Sequence, residues 1–176
     1  AYIWLSGREV DDTILERLAA EFPQLESLVL KEFDIHNRVG PRGARAVTGL
    51  AKLHTLWTPR TRNDFPGRLD RDWSRLAGEM RGLITLVLDG CRIDDADVAN
   101  IARSPSLYGL ALVYTDVSDR GLVHLERVAT LRSINVKGTK VTADGVNRLA
   151  TALPRCRIEW DTGVIEPKVV IDPDRK

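Results

Sequence analysis

Cys91, Cys156, three histidines and a set of paired aspartates are the side chains best equipped for chemistry, and their spacing argues against most of it. A reactive thiol needs a basic neighbour that lowers its pKa, and Cys91 has only Arg92 beside it. His36, His54 and His124 stand at no metal-ligand spacing from one another or from a cysteine. No nucleophile-elbow motif accompanies them. Gly40, Gly43 and Gly49 lack the order of a phosphate-cradling loop. Two cysteines are too few for a disulfide framework or a structural zinc site. The pairs Asp11-Asp12 and Asp94-Asp95 offer carboxylates to a cation, yet they fall at one recurring place in a longer pattern, which favours helix capping. The expectation is a protein that is not an enzyme and has no cofactor and no metal.

That longer pattern is a repeat. Leu25-Glu-Ser-Leu28-Val-Leu30, Leu83-Ile-Thr-Leu86-Val-Leu88, Leu107-Tyr-Gly-Leu110-Ala-Leu112 and Leu131-Arg-Ser-Ile134-Asn-Val136 share the form L-x-x-L-x-L with aliphatic substitutions. Leu53 to Thr58 fits with a polar last position, and partial copies lie around Ile3 and Ile158. The fourth positions, Ile3, Leu28, Leu56, Leu86, Leu110, Ile134 and Ile158, are separated by 25, 28, 30, 24, 24 and 24 residues. Seven residues past that position stand Val10, Ile35, Ile93, Val117 and Val141; helix-capping types Asp11, Asp94, Ser118 and Thr142 follow four of them. Asp12, Asp95, Asp119 and Asp144 then put negative charge where a helix dipole favours it. Pairs such as Val98 and Ile101, or Leu122 and Leu125, mark one inward helix face.

A strand followed by a helix cannot bury these residues alone, so neighbouring copies must stack. The predicted fold is α/β: a solenoid with about seven parallel strands on a concave face and helices on a convex face. Helices are expected at least in the first, fourth, fifth and sixth units. The repeat domain is taken as 1–166, with 167–176 as a tail.

Thr115-Asp-Val117-Ser-Asp-Arg-Gly121-Leu122, Thr139-Lys-Val141-Thr-Ala-Asp-Gly145-Val146 and the closing Leu153-Pro-Arg-Cys-Arg-Ile-Glu-Trp160-Asp carry a resemblance. The chain resembles bacterial leucine-rich-repeat proteins of the ribonuclease-inhibitor-like and cysteine-containing classes, over nearly its whole length. The resemblance implies a right-handed α/β horseshoe that serves mainly as a protein-binding scaffold. It also implies a structural role for the column Cys91, Thr115 and Thr139, bonding backbone groups where strand turns to helix. Cys156 lies about three strands from Cys91, or ~14 Å, too far for a disulfide. The pattern is disturbed between about Lys31 and Met80, where insertions lengthen two units, Asn63 replaces a β-branched residue and 59–66 reads as a loop. Trp73, Leu76 and Met80 still have the spacing of a helix face.

Strand alternation sends the third and fifth residues of each unit away from the core. The fifth positions run Trp4, Val29, Trp57, Val87, Ala111, Asn135, Glu159, so the face is apolar and aromatic at one end and polar at the other. With Tyr2, the first four form the candidate protein-binding site, since tryptophan and tyrosine commonly anchor interfaces. Truncating Trp57 in such a position is expected to cost little stability. Either a partner or a preceding segment of chain would cover this patch.

The alternative is a polyanion or nucleic-acid site. Residues 31–80 hold ten basic and six acidic groups, and Arg60, Arg62, Arg68, Arg71 and Arg75 form the candidate basic patch. A solvated helix surface with pairs such as Arg68 and Asp72 is the plainer account. The net charge of +1 over 176 residues makes nucleic acid an unfavoured partner. No apolar run reaches membrane-spanning length. Pro154 should stop the last helix, and Trp160, Val164 and Ile165 should close the core behind it. At the other end no cap precedes Ile3, so cover by residues before Ala1 or by another molecule is expected, as in a piece of a larger chain.

Overall fold

In a computed structural model, residues 1–6, 10–31, 39–58 and 69–168 are described, with 69–72 described by backbone alone. Strands and helices alternate: β1 (Tyr2–Ser6), α1 (Asp12–Glu21), β2 (Ser27–Lys31), α2 (Pro41–Thr48), β3 (Thr55–Trp57), α3 (Leu69–Glu79) and β4 (Thr85–Val87). The regular half continues with α4 (Asp95–Ile101), β5 (Gly109–Ala111), α5 (Asp119–Leu125), β6 (Ser133–Asn135) and α6 (Ala143–Ala152), and ends with β7 (Arg157–Trp160) and β8 (Gly163–Ile165). The strands lie in chain order in one sheet. β1 to β7 pair parallel, with Ile3, Leu28, Leu56, Leu86, Leu110, Ile134 and Ile158 side by side. Each helix packs against the next, so the helices form a second layer along the sheet.

The helix starts follow from the capping residues. Asp11 accepts from the Ile14 amide at 2.9 Å, Asp94 from Ala96 and Asp97, Ser118 from Arg120, and Thr142 from Gly145. Asp94 and Asp97 form a reciprocal capping box. Helices also form in the two disturbed units. Pro41, with its fixed φ and no amide to satisfy, occupies the start of α2. In α3 Trp73 and Leu76 are buried, as is Met80 just beyond its end.

The aspartate that follows the cap, Asp12, Asp95 or Asp119, does more than face a helix dipole. Asp12 accepts from the amides of Gly40 (2.5 Å) and Gly43 (2.9 Å). Asp95 accepts from the Ser118 amide at 2.8 Å and its hydroxyl at 2.7 Å; Asp119 takes the same two bonds from Thr142 at 2.8 and 2.6 Å. Each carboxylate therefore fixes the capping residue, or the first turn, of the following unit. A glycine makes room for it: a Cβ on Gly121 would lie 2.6 Å from Asp95, and Gly145 is crowded likewise by Asp119. Asp144, with no later helix among the described residues, is exposed.

The core runs unbroken between the layers. Leu28, Leu56, Leu86, Ile134 and Ile158 from the strands and Leu15, Val98, Ile101, Leu122 and Leu149 from the helices are fully buried. The polar Thr58 is buried too, but its hydroxyl donates to the Val87 carbonyl at 3.3 Å. α6 ends at Ala152, just before Pro154.

One correction concerns the C-terminal end. The sheet has an eighth strand, and β8 pairs antiparallel to β7 after the turn at Asp161 and Thr162. Ile165 lies opposite Ile158 and shares its core side, and Trp160 also packs against the core. Val164 lies opposite Glu159, on the other face, and is 42% exposed. Alternation thus allows only one of the two β8 aliphatic residues to close the core. The tail from 169, and Ile35, His36 and the stretch 59–66, lie outside the described residues.

Candidate functional site

The sheet face turned away from the helices carries the third and fifth residues of each repeat unit. Register aligns Tyr2 with Ser27, Thr55 and Thr85, and Trp4 with Val29, Trp57 and Val87. Tyr2 is 59% exposed, Trp4 60% and Trp57 39%; Val87 is half-buried. The Tyr2 and Trp4 rings lie 5.9 Å apart, tilted at 46°, and the Trp4 indole N–H donates to the Tyr2 hydroxyl. That bond ties the two side chains into one aromatic platform at the edge of the sheet.

Val29 does not belong to the exposed surface. It points outward as alternation requires, yet it is only 4% exposed. Its register neighbours are Trp4 on one side and Trp57 on the other. At ~4.8 Å per strand, an indole is large enough to reach a neighbouring valine. Ser27, between Tyr2 and Thr55, is buried in the same way. The site thus consists of Tyr2, Trp4 and Trp57 standing over a filled floor, with Val87 at its margin.

The other half of the face is occupied by its own ion pairs. Glu159 accepts from Arg157, from the Asn135 amide group at 3.0 Å and from Lys137 at 3.4 Å. The Arg157 hydrogen bond, helped by Lys137, holds the Glu159 carboxyl below the usual carboxylate range despite some loss of hydration. Arg157 also reaches Glu166 at 3.3 Å. β5 between the halves presents only Gly109 and Ala111.

The residues weighed for chemistry are dispersed. Cys91 is buried; its thiol lies 3.5 Å from the Thr58 hydroxyl and 3.9 Å from the Asp89 carbonyl. Thr115 and Thr139, in the same column, donate to the carbonyls of Leu112 (2.8 Å) and Val136 (2.7 Å). Burial raises the Cys156 thiol to about 11, far from a reactive value. Neither cysteine forms a disulfide. His54 lies beside the Thr55 hydroxyl at 3.2 Å, and His124 is in the last turn of α5. Among the described residues no cluster of histidine, cysteine and carboxylate has metal-site geometry, and no helix is long and apolar enough to cross a membrane.

Of the basic candidates, Arg60, Arg62 and Arg68 lie outside the described residues, as does the side chain of Arg71. Arg75 is paired with Glu79 at 3.6 Å. With Arg45 it borders a groove of about 440 Å³ between the ends of α2 and α3, floored by the buried Leu76 and Met80. Arg42 donates twice to Glu16, at 2.9 and 2.7 Å, across α1 and α2.

Sequence reading overlooked Tyr114. It is exposed and has a left-handed φ of 56°, a conformation taken in the flanking units by Gly90 and Gly138. Its ring covers Gly138 so closely that a Cβ there would collide with it. The signal was available, since the eighth position of these units reads Gly, Tyr, Gly.

In-register parallel strands, a helix after each of the first six and carboxylate staples between units make the chain an α/β solenoid of leucine-rich-repeat type. It is similar in fold to a solved structure described as "Leiomodin-1 Actin-Binding Site 2 (ABS2)": TM-score 0.50, 12% sequence identity, 88% of this chain and 80% of that chain covered. No protein-family model and no curated protein matches the sequence.

Proposed function

We propose that this chain acts by binding another protein through the β1–β4 part of its outer sheet face, and not by catalysis. The observation that carries this reading is the group of Tyr2, Trp4 and Trp57, three large aromatic side chains exposed on β1 and β3, to either side of β2. Aromatic surface of this kind costs solubility when bare, and burying it supplies most of the energy of a protein interface. The leiomodin-1 domain that shares the fold is named for binding a protein, actin. For this chain that supports the class of partner and nothing finer. We place the repeats nearest the bacterial ribonuclease-inhibitor-like and cysteine-containing classes, on the motifs quoted above.

The test is quantitative capture of partners by the wild-type chain and by Trp57→Ala and Trp4→Ala. A partner of this face is held by the wild type and lost by both variants while they remain folded. Capture that survives both changes removes the face from consideration. Binding that falls steeply with salt would instead favour the basic region 31–80 and a polyanion.

A further inference from the structure

We propose that the side of the sheet where the strands begin is a second binding surface, fitted to a short, extended, acidic segment of a protein partner. It lies apart from the aromatic face and does not rest on the reading of that face.

Topology defines the surface. β2 to β7 run parallel and each follows a helix, so every connection from a helix end to a strand start lies on one side of the sheet. Backbone bonds set these connections beside one another. The Ile84 amide donates to the His54 carbonyl, Tyr108 to Ile84, Arg132 to Tyr108 and Arg157 to Arg132, each at 2.8 Å. One step along the row is therefore one strand spacing, ~4.8 Å at the sheet.

The row carries charge of one sign. Lys52 lies between α2 and β3, Arg81 between α3 and β4, and Arg103 between α4 and β5. Arg127 and Arg132 follow between α5 and β6, and Arg155 between α6 and β7. Arg132 is half-buried and the others are exposed. None of them forms an ion pair among the described residues. The acid in these five connections, Glu126, is taken by Arg148 at 3.0 Å. Cations on the opposite side of the sheet are held: Lys140 by Asp116 at 2.6 Å and Lys137 by Glu159 at 3.4 Å. A helix dipole accounts for Arg103 and Arg127, just past the ends of α4 and α5. It does not account for Arg132 and Arg155, which stand next to strand starts. The Arg132 guanidinium donates to the carbonyls of Ala129 at 2.7 Å and Leu131 at 3.0 Å. These neutral groups hold the fork in place and leave its charge uncompensated, ready for a carboxylate.

Two further observations choose the kind of anion. Ile84 shares its connection with Arg81, and Tyr108 with Arg103; they are 43% and 54% exposed. Apolar surface set between cations suits a segment whose carboxylates flank an apolar side chain. The chain's net charge is +1, so removing the six positive charges of the row leaves the remainder at −5. A long polyphosphate reaching past the row meets that excess, whereas charges beyond the Debye length of ~8 Å barely act on a short segment seated within it. Four steps of ~4.8 Å span ~19 Å, or about six residues of extended chain.

The probe is a fluorescently labelled peptide, Glu-Glu-Leu-Glu-Glu-Leu-Glu-Glu, titrated with the full chain and read by anisotropy. Ordinary exposed ion pairs with an apolar contact put its Kd below about 1 mM at low salt. Arg103→Glu combined with Arg127→Glu should weaken binding about tenfold and flatten its dependence on salt. Ile84→Ser combined with Tyr108→Ser should weaken it about fivefold and leave the salt dependence as it was. All four residues are exposed, and circular dichroism confirms that the variants fold. The glutamine version of the peptide should not bind. No binding of the acidic peptide at about 1 mM overturns the proposal, as does binding indifferent to the arginine exchanges. A single-stranded oligonucleotide of about eight nucleotides that binds as tightly as the peptide, and is lost with the same exchanges, overturns the choice of partner and makes the row a phosphate site. Trp57 lies on the other surface, so Trp57→Ala should leave peptide binding unchanged; the two readings can then fail separately.

Discussion

Trp57→Ala separates a side chain that holds the sheet together from one that meets a partner as proposed, because the residue is part covered and part exposed. Its exposure of 39% leaves about three-fifths of the residue covered. A tryptophan can bury up to ~250 Å², so roughly 150 Å² is removed from water here. At ~25 cal/mol per Å² that area is worth at most about 4 kcal/mol, and a compact unfolded chain lowers the figure to about 2 kcal/mol. The melting temperature should therefore fall by about 4–8 °C. The sequence alone suggested almost no cost, because it could not show how much of the indole is covered. Under the proposed function, the exposed two-fifths supplies the anchor. Its loss should weaken partner binding by about thirtyfold or more, measured well below the melting point. Circular dichroism melts paired with binding isotherms give both numbers. Unchanged affinity with a melting drop well beyond 8 °C would make Trp57 a packing residue, and the outer-face reading would fail.

Three further outcomes test the architecture. Asp119→Ala removes two bonds to Thr142 and should cost about 1–2 kcal/mol in a denaturant titration; Asp144→Ala, which removes none of these, should cost under about 0.5 kcal/mol. Gly78→Ala would drive a Cβ into the backbone carbonyl of Asn100 where α3 meets α4, and should lower stability by about 2 kcal/mol or more. For the cysteines, Cys91→Thr should be near-neutral for folding and for any activity, because threonine fills that column at 115 and 139. Loss of a turnover reaction in that variant would refute the non-catalytic reading. Cys156 should resist alkylation at pH 8 in the folded chain. Its thiol is raised toward about 11 by burial, so the contribution it makes to stability is complete below about pH 9 and disappears as pH rises toward 11; melts across that range read the loss.

Repetition explains what could be read before the structure. A residue type that returns at one place every 24 residues must answer a need that every unit shares, so the leucine columns, Asp11, Asp94, Ser118 and Thr142 pointed directly to a core and to helix caps. Features relating one unit to the next were harder to see. Asp95 and Asp119 look like helix-dipole residues within their own units; only the stacked structure brings them to Ser118 and Thr142. Val29 was misplaced for the same reason, since alternation fixes the direction of a side chain but not the reach of the indoles beside it. The eighth strand escaped notice because Gly163-Val-Ile165 is too short and too irregular to show a period.

The outer face obeys the opposite rule, and that difference is the best argument for where this protein works. The core columns repeat because the fold demands the same side chain at each step: Leu28, Leu56, Leu86 and Leu110 are interchangeable parts. The column Trp4, Val29, Trp57, Val87, Ala111, Asn135, Glu159 changes almost every time. Glu159 and Asn135 satisfy one another and Arg157, which settles the polar end internally. Val29 is filled in by its neighbours. Trp4, Tyr2 and the outer part of Trp57 are what the fold leaves over: large, rigid, amphipathic surface that no unit of the stack requires. A solenoid built of equivalent units can vary its outward residues without disturbing the core, so departures from the repeat are where a particular partner would be written.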